Sequence, residues 1–121
     1  MKITSLFIAD NVRQDPTTKK LYVEGVFSNI NAGSFPAVHK QLSALTVFEG
    51  KNKKYNYKIT IEHDSKILMT NEAVIDKRGE KEHTVITAFE NIPLPKPGEY
   101  LVRVKLDNQI IQKTIEAKKI K

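Results

Sequence analysis

The residues able to do chemistry are few, and their spacing says which could meet. Histidine occurs at positions 39, 63 and 83, the first just after Phe35-Pro36 and the second followed at once by Asp64. If "QLSALTVFE" (41–49) pairs with "YNYKITIEH" (55–63) through the "KNKK" turn, Glu49 stands opposite Tyr55, Gln41 opposite His63, and His39 falls near Ser65. His39, His63 and Asp64 would then share one rim, with His83 on the opposite one. Two imidazoles and a carboxylate suit zinc or another transition metal. The spacing forms no tight motif such as H-E-x-x-H, and imidazoles at loop ends are more often exposed or hydrogen-bonded to backbone. The expectation is therefore no metal, with His39, His63 and Asp64 the candidates for a weak rim site. Calcium would ask for hard oxygen ligands, which "ADNVRQDPTT" supplies as Asp10, Asn11 and Asp15. Without a D-x-D-x-D cluster, the plainer reading is that Asp10 ends a strand and Asp15-Pro16 opens a turn.

Charge raises a different possibility. The chain carries a net charge of +6, and its basic residues are densest at "KNKK" and at the C-terminal "AKKIK". Lys51, Lys53, Lys54 and Lys58 are the candidate anion-binding residues, for nucleic acid or another anionic polymer. A single-stranded nucleic-acid groove also wants exposed rings among the cations. In "KKYNYK", however, Tyr55 and Tyr57 share parity with Ile59 and Ile61 and belong to a core. Nucleic acid is not expected as a partner, and these lysines read as a solvated turn and tail. There is no tryptophan, and Tyr22 alone is clearly an outward ring, which is no platform for a sugar.

Catalysis finds little support. With 0 cysteines, disulfides, thiolate zinc sites and cysteine nucleophiles all drop out. There is no G-x-S-x-G elbow, and the 5 glycines are too scattered for a phosphate loop. No catalytic residue and no cofactor are expected.

What must position these side chains is a set of short strands. A chain of 121 residues supports one core, and 40% apolar with 28% charged residues is ordinary for a soluble globular domain. The apolar run Leu6 to Ala9 is shorter than the roughly 7–15 residues of a secretory core, and no run approaches the roughly 20 of a membrane span. A cytoplasmic protein with no membrane partner is the expectation. Period-two alternation recurs in "KITSLFIAD", "LYVEGVFSNI", "QLSALTVFEG", "YNYKITIEH", "ILMTNEAVI", "HTVITAFENI", "YLVRVKL" and "QIIQKTIEA". The first is apolar on both faces and so central. In the second, Gly25 suggests a bulge or a close backbone approach. Asp107-Asn108 reads as a tight turn. Phe35-Pro36 reads as a rigid crossing pinned to the core by Phe35 and Val38, with His39 starting the next strand and satisfied by backbone. The sum is a single domain over residues 1–121: an all-β, antiparallel β-sandwich, immunoglobulin-like or similar, of about eight strands. A closed β-barrel is the alternative.

The N-terminal third resembles a family of short, uncharacterised bacterial proteins that form a domain of unknown function. Its pattern is met by Ile8, Ala9 and Asp10, by Lys20 and Leu21, by Gly25, Phe27 and Ile30, and by Phe35, Pro36, Ala37 and His39. Lys19 stands where the family has glycine. The resemblance implies a β-sandwich-like fold and no activity. The resulting expectation is a non-catalytic binding or assembly module that works through protein–protein contacts, with an unknown protein partner or a second copy docking at edge strands or end loops. Anionic-polymer binding and the rim metal site are the alternatives.

Overall fold

A computed structural model describes residues 1–79 and 81–120. Nine strands follow one another: β1 (Lys2–Gln14), β2 (Leu21–Val26), β3 (Asn29–Ala32), β4 (Ala37–Glu49), β5 (Lys54–His63), β6 (Lys66–Asp76), β7 (Glu82–Leu94), β8 (Gly98–Leu106) and β9 (Gln109–Lys119). They form two packed sheets, ordered β2-β1-β4-β7 and β3-β9-β8-β5-β6, and the sheets do not close into a barrel. No helix of the described residues is long and apolar enough to cross a membrane.

The alternation places the core correctly. Tyr55, Tyr57, Ile59 and Ile61 of β5 and Tyr100, Val102, Val104 and Leu106 of β8 are buried against Leu6, Ile8, Leu42, Ala44 and Phe48 from the other sheet. The two layers also share a hydrogen bond, between the Thr46 hydroxyl and the Tyr57 hydroxyl at 3.2 Å. Burial removes Tyr57 from water and raises its pKa. Asn91, at φ 54°, reverses the facing of β7, so that Phe89 and Ile92 both point into the core.

Two expectations need correction and one a refinement. Among the described residues there are nine strands, against the expected about eight, because "LYVEGVFSNI" is two. Gly25 takes φ 71° with the Asp10 side chain where a Cβ would sit, and the chain then leaves one sheet for the other. Phe27 N–H donates to Ile8 O at 3.2 Å on one side, and Glu116 N–H donates to Ser28 O at 2.9 Å on the other. The sandwich is also not wholly antiparallel, since β3 runs parallel to β9. Finally, the 41–49 and 55–63 segments do not pair. β4 lies between β1 and β7, while β5 lies between β6 and β8, so "KNKK" arches between sheets instead of turning a hairpin. Both hydrogen-bonding edges of β4 are taken, by β1 and by β7, and its faces are covered too, with Leu42 to Thr46 all buried.

This arrangement is immunoglobulin-like. Strands β1-β4-β7 take the places of A, B and E, and β9-β8-β5-β6 those of G, F, C and C′. A tyrosine corner accompanies it: Tyr100, near the start of β8, donates its hydroxyl to Lys96 O at 2.6 Å and accepts from Lys96 N–H at 3.3 Å.

Candidate functional site

The rim holding His63 is built by a two-residue turn. Asp64 and Ser65 both have positive φ, 49° and 63°, which closes the β5–β6 hairpin in the primed geometry that matches strand twist. His63 is 8% exposed and stacks on Tyr100 with ring centroids 4.2 Å apart. Its Nδ1 lies 2.8 Å from Glu99 O; a carbonyl only accepts, so Nδ1 carries the proton. Nε2 comes within 3.3 Å of an Asp64 carboxylate oxygen without a hydrogen bond. The ring thus braces the tyrosine corner. His39 lies in the other sheet, opposite Ile92, with its ring tilted on Phe27 at 5.4 Å. Among the described residues its Nε2 has no hydrogen-bond partner, so ring packing holds it rather than backbone. Val38, expected to pin the crossing, is exposed; Phe35 and Ala37 pack against the core instead. The structure therefore brings His63 and Asp64 together and leaves His39 apart, because the hairpin that would have joined them does not exist. Among the described residues no group of three or more His, Cys, Asp or Glu is arranged to hold a metal.

Asp15 is likewise spoken for. Its Oδ1 accepts from Thr17 N–H at 2.8 Å and Thr18 N–H at 2.9 Å. Those bonds, Thr18 first, hold its carboxyl below the ordinary pKa. It caps the β1–β2 turn, as the plainer reading has it.

Two of the four candidate anion-binding lysines, Lys53 and Lys58, meet acids. Lys53 Nζ is 3.2 Å from Asp107 and lies over the Tyr55 ring at 4.8 Å. Lys58 Nζ is 3.5 Å from Glu72, and Lys54 stands opposite Asp76 in register. Lys51 contributes its carbonyl to the Tyr55 hydroxyl at 2.7 Å. Of the tail, Lys118 faces Glu116 at 3.9 Å, and Lys121 lies outside the described residues. These cations are distributed among carboxylates rather than gathered into one stripe.

What remains open is the far side of the second sheet. Strand β6 is its terminal strand, and among the described residues it pairs with β5 alone. It runs for eleven residues, "KILMTNEAVID", without proline or glycine. Ile67 and Val74 are 57% and 63% exposed. Asn71 and Ala73 share the inward parity of Met69 and Ile75 yet are exposed too, so β6 overhangs the opposite sheet. Beside it, an open hollow of about 780 Å³ lies over the outer face, lined by Asn56, Lys58, Glu72, Val74, Lys105 and Asp107. The sequence reading placed this strand but missed that it is an edge. The available signal was an inward asparagine in an otherwise apolar run.

No curated protein matches the chain. The model of a family of unknown function, DUF6941, matches residues 4–115. With the match spanning nearly the whole sandwich, from β1 into β9, the chain belongs to that family.

Proposed function

We propose that this protein is a non-catalytic binding module, working in the cytoplasm, that takes an extended segment of a protein partner as an added strand along β6. One observation carries the reading: past a bulge at Leu68, β6 runs from Met69 to Asp76 as a regular edge without proline, glycine or an inward charge. Edges in natural sheets are normally blunted by short length, proline, bulges, inward charges or a covering element. Strand β3 has four residues and β2 six with Gly25 among them, while β7 ends in Asn91 and Pro93. By contrast, β6 offers regular edge backbone from Met69 to Asp76, with Val74 exposed on it and Ile67 exposed just before the bulge, which is what strand addition uses: main-chain bonds for affinity and alternate side chains for specificity.

The test is affinity capture from a lysate of the source cells, scored for any captured protein, a second copy included. Wild type is compared with an Ile67→Lys/Val74→Lys double variant and with Val26→Lys, which alters an equally exposed residue of the other sheet. Capture that survives Val26→Lys and falls at least tenfold in the β6 variant supports strand addition. Capture that the β6 variant retains overturns it.

A further inference from the structure

Two electron-rich atoms meet at the β5–β6 turn with nothing between them. The Nδ1–H of His63 is spent on Glu99 O at 2.8 Å, which leaves Nε2 a bare lone pair, and that nitrogen stands 3.3 Å from an Asp64 carboxylate oxygen. Nε2 is sealed from solvent and has no hydrogen-bond partner among the described residues. A buried acceptor without a donor is costly, and an anionic oxygen beside it adds to the cost. A cation placed between the two removes both penalties. A metal ion fits poorly, because no third His, Cys, Asp or Glu of the described residues joins the pair. A proton needs neither further ligands nor room, only a brief swing of the Asp64 side chain, which is 74% exposed.

We propose that His63 is a proton-operated clamp: as pH falls through the range in which imidazole titrates, Nε2 takes a proton from solvent, and the imidazolium ties the β5–β6 turn to the tyrosine corner at the start of β8. In the charged state both ring nitrogens are donors, Nδ1 to Glu99 O and Nε2 toward the Asp64 carboxylate. The Tyr100 ring, stacked at 4.2 Å and 15° from parallel, offers its π face to the cation. Burial raises the Tyr100 pKa, so that face stays neutral while the imidazole titrates. Lys66, directly across from His63 in register, and Lys96 of the β7–β8 loop oppose the proton, but both are exposed and water screens them. Glu99, exposed on the same hollow, favours it. Glu62 and Arg103 line that hollow too and offset each other at 3.5 Å. Asp64, at 3.3 Å, is the one acid among the described residues that pairs with the ring, and it decides the sign. Stability carried by this proton is fully present at low pH and is lost as pH rises past the point where the folded protein releases it. The clamp acts whatever docks on β6.

The experiment uses the full chain and an Asp64→Asn variant, since Asn tolerates the φ of 49° at position 64 and replaces the anion with an amide. At about pH 5.5 the variant lacks the partner of the imidazolium, and its folding constant from urea unfolding should fall roughly threefold or more below wild type. At about pH 8.5 the new amide N–H can donate to the bare Nε2, so the variant should equal or exceed wild type. His39 and His83 are present in both proteins, so their titration cancels in the comparison. In a His63→Gln background, Asp64→Asn should have the same effect at both pH values. Nitrogen-15 NMR of the wild-type ring reads the event directly: Nε2 should carry a proton at the lower pH and none at the higher, while Nδ1 keeps its own at both. An Asp64→Asn effect that does not change with pH, or a pH dependence that survives His63→Gln, overturns the inference. So does a His63 ring that stays neutral at the lower pH, a result that needs no variant to fold.

Discussion

The two long sides of this sandwich are finished differently. On one side the chain stitches the sheets together, as Phe27 and Ser28 hydrogen-bond to β1 and β9 in turn and β3 runs on beside β9. The outer face next to that side is covered as well. Leu45 and Val47 point away from the main core, yet Leu45 is only 3% exposed, because Val12, Leu21 and Val23 of the β1–β2 hairpin pack with it and Ala9 in a second small cluster. On the other side β6 and β7 end their sheets without pairing, and the outer face beside β6 is polar and open. The difference teaches where a partner has room. A closed side has spent its backbone groups and apolar area on the chain itself, whereas the β6 side has kept both.

The sharpest way to break that contrast is to truncate one residue on each side. Leu45→Ala should cost about 3 kcal/mol, since it empties part of a closed cluster. Val74→Ala should stay within about 0.5 kcal/mol, as an exposed edge residue does. Urea unfolding monitored by circular dichroism separates them through its midpoint. Equal, small losses would mean that the hairpin does not cover its sheet.

A smaller effect is expected at the tyrosine corner, which fixes the loop leading into β8. Tyr100→Phe keeps the ring and its stacking on His63 but removes the hydroxyl shared by Lys96 O and N–H. The loss should be about 1 kcal/mol, the net worth of a partly buried hydrogen bond with one group left unpaired. Tyr22→Phe, altering a half-exposed ring that rests under Arg13, should leave the midpoint unchanged. If the two variants behave alike, the corner hydroxyl does not brace the loop.

Strand existence and facing were legible because the side-chain period is two: Tyr55 to Ile61 and Tyr100 to Leu106 announce an inward face. Sheet membership was not, since alternation says which way a residue points and nothing about which strand lies beside it. The misplaced pairing of 41–49 with 55–63 follows from that gap. The one clue, burial of Leu42 through Thr46 on both faces, is masked by the polar Ser43 and Thr46, which sit there as small residues. The candidate site was less legible still. His39, His63 and Asp64 drew attention by type, whereas β6 matters by position, and an edge is a property of the assembled sheet at which the inward Asn71 alone hints.

The smallest predicted effect compares the two sheets through one carboxylate each. Asp107 ties the β8–β9 turn to β5: its Oδ1 accepts from Asn56 N–H at 2.9 Å and its other oxygen meets Lys53 at 3.2 Å. The hydrogen bond first and the lysine second lower its pKa below the ordinary value, as the Thr18 and Thr17 amides do for Asp15 at the tip of the covering hairpin. A carboxyl with a lowered folded pKa adds stability that is fully present above its unfolded pKa, about 3.9, and is lost as pH falls through the folded value. Asn preserves an acceptor and tolerates the φ of 50° at position 107, so Asp107→Asn isolates the charge. The variant should melt a few degrees below wild type at pH 6, with the gap closing as pH falls through the lowered folded-state pKa. At Asp15 the Thr18 and Thr17 amides dominate and the Arg13 charge contributes least, so Asp15→Asn should give a gap of the same sign that salt narrows less. The Asp107 gap should narrow more in high salt, because screening weakens its exposed pair with Lys53. A gap at Asp107 that is indifferent to both salt and pH would mean that the amide bond alone, without the charge, holds the turn against β5.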